Sequence, residues 1–188
     1  FVARYLHPEL WYMGLLMPLY ELQVARILAR HLQYLQAIRS CNNRRPDRPW
    51  CMQCPKCAWV YLLLSAFVDE DVVGQIIPGD LLAEPELLTT NLELCGKSGH
   101  KPLECVGTPE EALLALHLAA QRRTSPVHPR LVDILPSAAE AEALQARILD
   151  AFNDEHGLPP AWSERIRALA RVPLGRDGTR GTMPPQPG

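Results

Sequence analysis

Four cysteines, in one loop and the start of the segment after it, are the residues of this sequence best suited to chemistry. Cys41, Cys51, Cys54 and Cys57 have the spacing Cys-x9-Cys-x2-Cys-x2-Cys. Two thiolates separated by two residues can chelate one metal ion from a tight turn, and tetrahedral zinc accepts four thiolates. The spacing therefore predicts a zinc knuckle at residues 41–57. Because four cysteines complete the coordination sphere, the zinc would be structural rather than catalytic.

Other roles for these thiols stay open. An iron–sulfur cluster also uses four cysteines. A Cys-x2-Cys pair can be a redox pair, although a third cysteine two residues further on is not usual for one. Cysteines can also be small buried apolar residues, but the residues between these four include Asn, Arg, Gln and Lys. Those polar neighbours favour a metal site.

Basic residues surround the cysteines, namely Arg39, Arg44, Arg45, Arg48 and Lys56. A guanidinium group can bind phosphate through two hydrogen bonds, so Arg44 and Arg45 are candidate substrate- or phosphate-binding residues. A solvated loop, partly neutralised by Asp47, is the alternative. A nucleic-acid-binding knuckle would need an exposed ring for base stacking. Only Trp50 and Trp59 lie nearby, and Trp59 is expected to face the core.

A second polar loop, residues 96–107, precedes a predicted helix and contains Lys101, Glu104 and Cys105. The positive end of a helix dipole favours a thiolate, and a thiolate can act as a base. Cys105 and Glu104 are therefore candidate catalytic residues, and Lys101 is a candidate for binding substrate or phosphate. The alternative for Cys105 is a small buried residue. Cys95 is expected in the core.

The composition is typical of a globular protein, with 188 residues, 47 % hydrophobic, 21 % charged and a net charge of −2. That charge gives no general attraction to nucleic acid or to an anionic membrane. The longest apolar run, residues 58–68, is too short to span a bilayer. We therefore expect no membrane or nucleic-acid partner. Cysteines with metal spacing and no visible signal peptide indicate the cytoplasm.

Apolar periodicity predicts a mainly α-helical chain, with helices near residues 18–39, 55–68, 108–123, 137–153 and 160–171. The pairs Thr108 with Glu111 and Ser137 with Glu140 have capping-box spacing, which marks two of the helix starts. Residues 1–172 are interpreted as one helical portion that carries the knuckle. Residues 173–188, rich in glycine and proline without apolar periodicity, are predicted to be a disordered tail.

The segments "PLYELQVARILARH", "RSCN", "WCMQCPKCAWVYLLLSAF" and "KPLECVGTPEEALLAL" resemble the C-terminal half of the ATP-dependent UDP-N-acetylmuramoyl-L-alanyl-L-glutamate epimerase family. The resemblance extends from about residue 12 to about residue 121. The cysteine spacing also resembles the knuckle of the queuosine-precursor synthases in the PP-loop superfamily. The chain begins with Phe1 in an apolar segment, which suggests a fragment. The resemblance implies the helical C-terminal part of a larger α/β, PP-loop-like enzyme.

The resemblance also implies an isomerase of peptidoglycan precursor synthesis, and so of cell-wall biogenesis. With ATP and magnesium, the family adenylates the terminal L-glutamate of a nucleotide-linked muramoyl dipeptide, releases pyrophosphate and inverts Cα to give D-glutamate and AMP. The superfamily's ATP loop, Ser-Gly-Gly-x-Asp-Ser, does not occur in this sequence, so we expect the chain alone to be inactive. The alternatives are another carboxylate-activating PP-loop enzyme, or a zinc-knuckle module that binds RNA or protein.

Overall fold

A computed structural model describes residues 2–10, 12–45 and 47–172. Within these residues the regular structure is helical, apart from an isolated antiparallel pairing of Arg45 with Arg48. The α-helices are α1 (Val2–Tyr5), α2 (Glu21–Leu28), α3 (Pro55–Ser65), α4 (Glu70–Ile76), α5 (Leu88–Leu94), α6 (Pro109–Arg122), α7 (Pro129–Val132), α8 (Ala138–Ile148) and α9 (Pro160–Arg171). Two 3-10 helices are formed by Leu32–Ala37 and Pro85–Leu87. The expectation of a mainly helical chain is confirmed, and the predicted tail at 173–188 lies outside the described residues.

Helix α3 is the centre of the core and determines where the cysteines lie. Its residues from Cys57 to Ser65 are buried except Val60, and it packs against α2, α4, α5 and α6. Pro55 at its first position suits a helix start because proline lacks the N–H that a first-turn residue cannot use. The cysteine loop is thus attached directly to the most buried helix. No helix in the described part of the chain is both long and apolar enough to cross a membrane.

The single helix predicted over residues 18–39 is wrong in detail, because the chain breaks after α2. His31 leaves the helical conformation, with φ −129° and ψ 60°, and the 3-10 helix Leu32–Ala37 follows. Leu32, Leu35 and Ile38 recur every three residues, a spacing that fits the three residues per turn of a 3-10 helix as well as an α-helix. In this 3-10 helix, which is wound more tightly than an α-helix, Leu35 is buried in the core.

Both predicted capping boxes are confirmed, and one of them also joins two helices. Glu111 accepts a hydrogen bond from the backbone N–H of Thr108 (2.8 Å) and, through its other oxygen, from that of Leu22 (3.1 Å). Its side chain is buried. One carboxylate therefore satisfies otherwise unpaired N–H groups at the starts of α6 and α2, and its negative charge is favoured at both positive helix ends.

The helix predicted to end near residue 153 ends at Ile148 instead. The carbonyl of Leu149 accepts hydrogen bonds from the side chains of Gln23 (3.1 Å) and Arg26 (2.7 Å) on α2. The same guanidinium nitrogen of Arg26 reaches the carbonyl of Ala170 in α9. These contacts satisfy carbonyls at the ends of α8 and α9 and replace the local hydrogen bonds that a longer α8 would have made.

Glu70, at the start of α4, binds the turn that follows α6. Its carboxylate accepts hydrogen bonds from the backbone N–H groups of Thr124 (3.1 Å) and Ser125 (3.2 Å) and from the Thr124 hydroxyl (3.0 Å). Burial alone would raise the pKa of Glu70, but the hydrogen bonds from Ser125 and Thr124 outweigh it and lower the pKa to about 2. The ionised form is therefore bound more tightly in the folded protein than in the unfolded chain.

We expect Glu70→Gln to lower the free energy of unfolding by about 1–2 kcal/mol at pH 7, less than the full pKa shift implies because solvent screens a partly exposed carboxylate. Because the folded pKa is depressed, the Glu70 contribution is complete above the ordinary pKa of 4.5 and is lost as the pH falls towards 2. Urea unfolding between pH 7 and pH 2 should therefore show the two proteins converging. Glu142→Gln, at an exposed position of α8, is the control, and a gap that persists at pH 2 would contradict the prediction.

Candidate metal centre

The fold brings the four predicted cysteine ligands together. Their Sγ atoms all lie within 4.8 Å of one another. The Sγ–Sγ distances are 3.9 Å between Cys41 and Cys54, 3.8 Å between Cys51 and Cys57, and 3.5 Å between Cys54 and Cys57. Four sulfurs at about 2.3 Å from a tetrahedral zinc lie about 3.8 Å apart. The cysteines are free thiols, and their arrangement fits one tetrahedral metal ion.

The start of α3 and a tight turn before it position three of the four thiols. Cys54 directly precedes α3, at its N-cap position. Cys57 lies in the first turn, and its N–H donates a hydrogen bond to the Cys54 carbonyl at 3.0 Å. In the preceding turn Met52 has a φ of 58°. This left-handed conformation is uncommon for a residue with a Cβ, and nothing in the residue type predicted it. It lets the chain reverse between Cys51 and Cys54.

Backbone hydrogen bonds point at the sulfur atoms and favour thiolates. The N–H of Cys51 donates to the Sγ of Cys41 at 3.4 Å. Burial alone would raise the pKa of Cys51, but hydrogen bonds from the backbone of Gln53 and from the Cys41 and Cys54 thiols outweigh it and lower the pKa to about 7. These backbone donors could not be predicted from the residue types, because they depend on how the turn folds.

At Cys54 and Cys57 the effect of burial is the larger one. It raises the pKa of both thiols, even though backbone hydrogen bonds lower it. Several thiolates in a buried cluster repel one another, so a divalent cation would be needed to balance their charge. Zinc bound by these cysteines would hold the loop to the start of α3, and the four ligands would leave no open position for a substrate.

The other predicted site residues lie on two loops, with Arg44 and Arg45 between Cys41 and Cys51 and the remaining three before α6. Arg44, Arg45, Lys101 and Cys105 are exposed, and Glu104 is half-buried. Within the described ranges, none of these five side chains has a hydrogen bond or an ion pair with another residue. Their accessibility leaves them available to a ligand, but the fold does not arrange them into a catalytic cluster.

The two cysteines outside the cluster differ in burial. Cys105 is exposed, so the alternative interpretation of it as a small buried residue is wrong. Its neighbour Leu103 is also fully exposed, which places this part of the loop in solvent. Cys95 is in the core as predicted, and burial raises the pKa of its thiol to about 12. Cys95 is therefore a structural residue.

A family model described as the MurL C-terminal domain matches residues 37–148, a region that contains all four cysteines. Three relatives carry the name UDP-N-acetyl-alpha-D-muramoyl-L-alanyl-L-glutamate epimerase. The protein from a Micromonospora species is 36 % identical over 82 % of this chain and 36 % of its own length. The Salinispora tropica protein is 41 % identical over 68 % of this chain and 30 % of its own length.

The third relative, from Xanthomonas oryzae pv. oryzae, is 34 % identical over 89 % of this chain and 39 % of its own length. This chain thus spans about a third of the length of the relatives that it matches. No solved structure matches it. The matched region includes the metal centre, α3 and α6, which together form the centre of the described fold. The chain belongs to the MurL C-terminal domain family.

Proposed function

We propose that this chain is the C-terminal part of an ATP-dependent epimerase that converts the terminal L-glutamate of UDP-N-acetylmuramoyl-L-Ala-L-Glu to D-glutamate. The observation that carries the proposal is the family match over residues 37–148, together with the names of three relatives. The nucleotide-linked substrate would place the protein in the cytoplasm, where unpaired thiols stay reduced. The rest of the enzyme would supply the ATP- and magnesium-binding loop.

The chemistry explains why such an epimerase would consume ATP. Removing the α-proton next to a carboxylate would create a dianion, so the carboxylate first attacks the α-phosphorus of ATP and pyrophosphate leaves. In the resulting acyl-adenylate the carboxyl carbon no longer carries a full negative charge, and a base can remove the Cα proton. A proton returned to the opposite face inverts the centre. Water then cleaves the mixed anhydride and releases AMP and the D-glutamyl product.

Within this proposal the residues of the chain have separate roles. A zinc ion on Cys41, Cys51, Cys54 and Cys57 would stabilise the fold. Arg44, Arg45 and Lys101 would bind phosphate oxygens of the substrate, and their exposed positions support this because their charges are accessible. Cys105 and Glu104 would transfer the proton. The exposure of Cys105 supports that role, because a base must reach Cα to within hydrogen-bond distance.

The proposal predicts that the chain alone is inactive and that a fusion with the N-terminal part of the Micromonospora relative is active. The assay is formation of D-glutamyl product, AMP and pyrophosphate from UDP-N-acetylmuramoyl-L-Ala-L-Glu, with deuterium incorporation at Cα in heavy water. Cys105→Ala in the fusion should lower turnover by about 100-fold or more. Leu103→Ala, in the same loop, should leave it unchanged. Pyrophosphate release without deuterium at Cα would instead indicate a carboxylate-activating enzyme of another kind.

The positions of the two nearby tryptophans argue against a knuckle that binds nucleic acid. Trp50 and Trp59 are each only 2 % exposed. The indole N–H of Trp59 donates to a carboxylate oxygen of Glu21 at 2.6 Å, which holds the ring between α3 and α2. Neither ring can stack on a base in this fold, so the epimerase remains the function that the observations favour.

A further inference from the structure

Large apolar side chains are exposed along the chain before α2. Among the described residues, most of the exposed large hydrophobic side chains lie between Tyr5 and Tyr20, including Leu6, Tyr12 and Met17. Tyr12 is 90 % exposed. A concentration of apolar side chains of this kind is characteristic of a surface that another protein part covers. The other exposed large hydrophobic residues are fewer, and they are divided between isolated positions such as Leu103 and Val132 and a smaller group, Trp162, Leu169 and Val172, at α9.

An apolar groove lies next to this segment. It has a volume of about 290 Å³ and is lined by Leu16 and Leu19 from the segment, Val24 and Leu28 from α2, and Val60 and Leu63 from α3. Glu21 also lines it, but one carboxylate oxygen accepts the hydrogen bond from Trp59. Because Leu16 and Leu19 belong to both features, the exposed segment and the groove form one continuous surface. We call residues 5–20 together with this groove the docking face.

The segment before α2 is anchored to the core at Pro18. Pro18 is buried, and its carbonyl accepts a hydrogen bond from the N–H of Asn153 at 3.0 Å. Backbone hydrogen bonds before it join near neighbours, such as Leu10 to His7 (3.1 Å) and Met17 to Gly14 (3.2 Å). The segment thus has local structure and an anchor, while several of its described apolar side chains, among them Leu6, Tyr12 and Met17, are exposed to solvent.

We propose that the docking face binds the N-terminal part of the epimerase polypeptide. The family model is a C-terminal domain that begins to match at residue 37, so residues 5–20 precede that domain in the sequence, while the α3 wall of the groove belongs to it. The relatives are long enough for more than half of their polypeptide to lie outside the matched region. A domain joined through this segment would have a high effective concentration at the docking face, so a moderate apolar area is enough to hold it.

The inference goes beyond the proposed reaction, because it concerns how the two parts of the polypeptide pack and not what they catalyse. A second copy of this chain is the competing occupant. The two possible occupants can be told apart by varying the protein concentration. Docking of the N-terminal part occurs within one polypeptide and is independent of concentration. Self-association would grow with concentration and double the mass.

Hydrogen exchange followed by mass spectrometry tests the proposal on this chain and on its fusion with the N-terminal part of the Micromonospora relative. Amides of residues 5–28 should exchange at least about tenfold more slowly in the fusion. Exchange in α6 should be the same in both proteins, which shows that the core is folded in each. In the fusion, Leu16→Ser with Met17→Ser should remove the added protection. Leu103→Ser, at a fully exposed leucine outside the docking face, should retain it.

Two results would overturn the proposal. The first is equal exchange of residues 5–28 in the chain and in the fusion, with α6 protected in both. The second is protection of the chain alone that rises with concentration while light scattering shows a dimer, because the occupant would then be a second copy. Neither readout uses ATP or measures epimerisation, so a failure of the proposed reaction would not be confused with a failure of docking.

Discussion

Cys54→Ser is expected to remove the bound zinc and to unfold the cysteine loop. The Cys54 thiol lies 3.9 Å from the Sγ of Cys41 and 3.5 Å from that of Cys57, and the residue directly precedes α3. A serine hydroxyl does not ionise to replace a thiolate ligand. Structural zinc contributes about 10–16 kcal/mol of apparent binding free energy in small zinc domains, so the loss of one ligand should remove several kcal/mol.

Metal analysis and thermal unfolding check this prediction. The wild-type chain should contain one zinc per chain, the variant almost none, and the variant's Tm should fall by roughly 10 °C. Cys105→Ser is the matched control, since Cys105 is an exposed cysteine outside the cluster. It should retain both zinc and stability. Full zinc retention in Cys54→Ser would refute the four-cysteine site, and iron with visible absorption in the wild type would identify an iron–sulfur cluster instead.

Glu111→Ala is expected to lower the free energy of unfolding by about 2–4 kcal/mol, because it removes two charge-assisted hydrogen bonds and leaves buried N–H groups unpaired. Its carboxylate oxygens accept hydrogen bonds from the backbone N–H groups of Leu22 and Thr108, at the starts of α2 and α6. Trp59 and Gly107 pack beside it, and a Cβ on Gly107 would lie 2.4 Å from the Trp59 ring. The surroundings are therefore too tightly packed to adjust easily to the lost side chain.

The second capping box provides a matched control for Glu111. Glu140 likewise accepts a hydrogen bond from the N–H of Ser137 at 2.9 Å, and it also accepts one from the Ser137 hydroxyl at 2.7 Å, but it is exposed and, among the described residues, contacts no second helix start. Glu140→Ala should therefore lower the free energy of unfolding by much less than Glu111→Ala, because water can solvate the groups that it leaves unpaired. Urea unfolding of both variants at pH 7 measures the difference. Equal decreases in the free energy of unfolding for the two variants would show that the hydrogen bond from Leu22 to Glu111 does not stabilise the fold beyond the capping box.

Features that depend on near neighbours could be predicted from the sequence. The capping boxes of α6 and α8 join residues three apart, and proline at the first helical position marked the starts of α3, α6 and α9. The metal ligands could be predicted for a related reason. Cys51, Cys54 and Cys57 are so close along the chain that almost any turn into a helix brings them together. Local geometry limits such segments to few conformations.

Features that depend on distant contacts could not be predicted in this way. The break after α2, the early end of α8 and the burial of Trp50 follow from packing against other elements. The hydrogen bond from Leu22 to Glu111 joins residues 89 positions apart. The spacing of apolar residues along one segment does not specify which other segment packs against them, because many helix arrangements bury the same residues.

The sequence by itself determined the four candidate metal ligands, the helical class of the chain and several helix starts, because spacing and capping are short-range. Only the tertiary structure decided that Cys105 is exposed, that Trp50 is buried and that Glu111 joins two helices. It also left large apolar side chains such as those of Leu6, Tyr12 and Met17 exposed. Whether a side chain is buried or exposed depends on which distant elements pack over it, and that packing is a property of the whole fold.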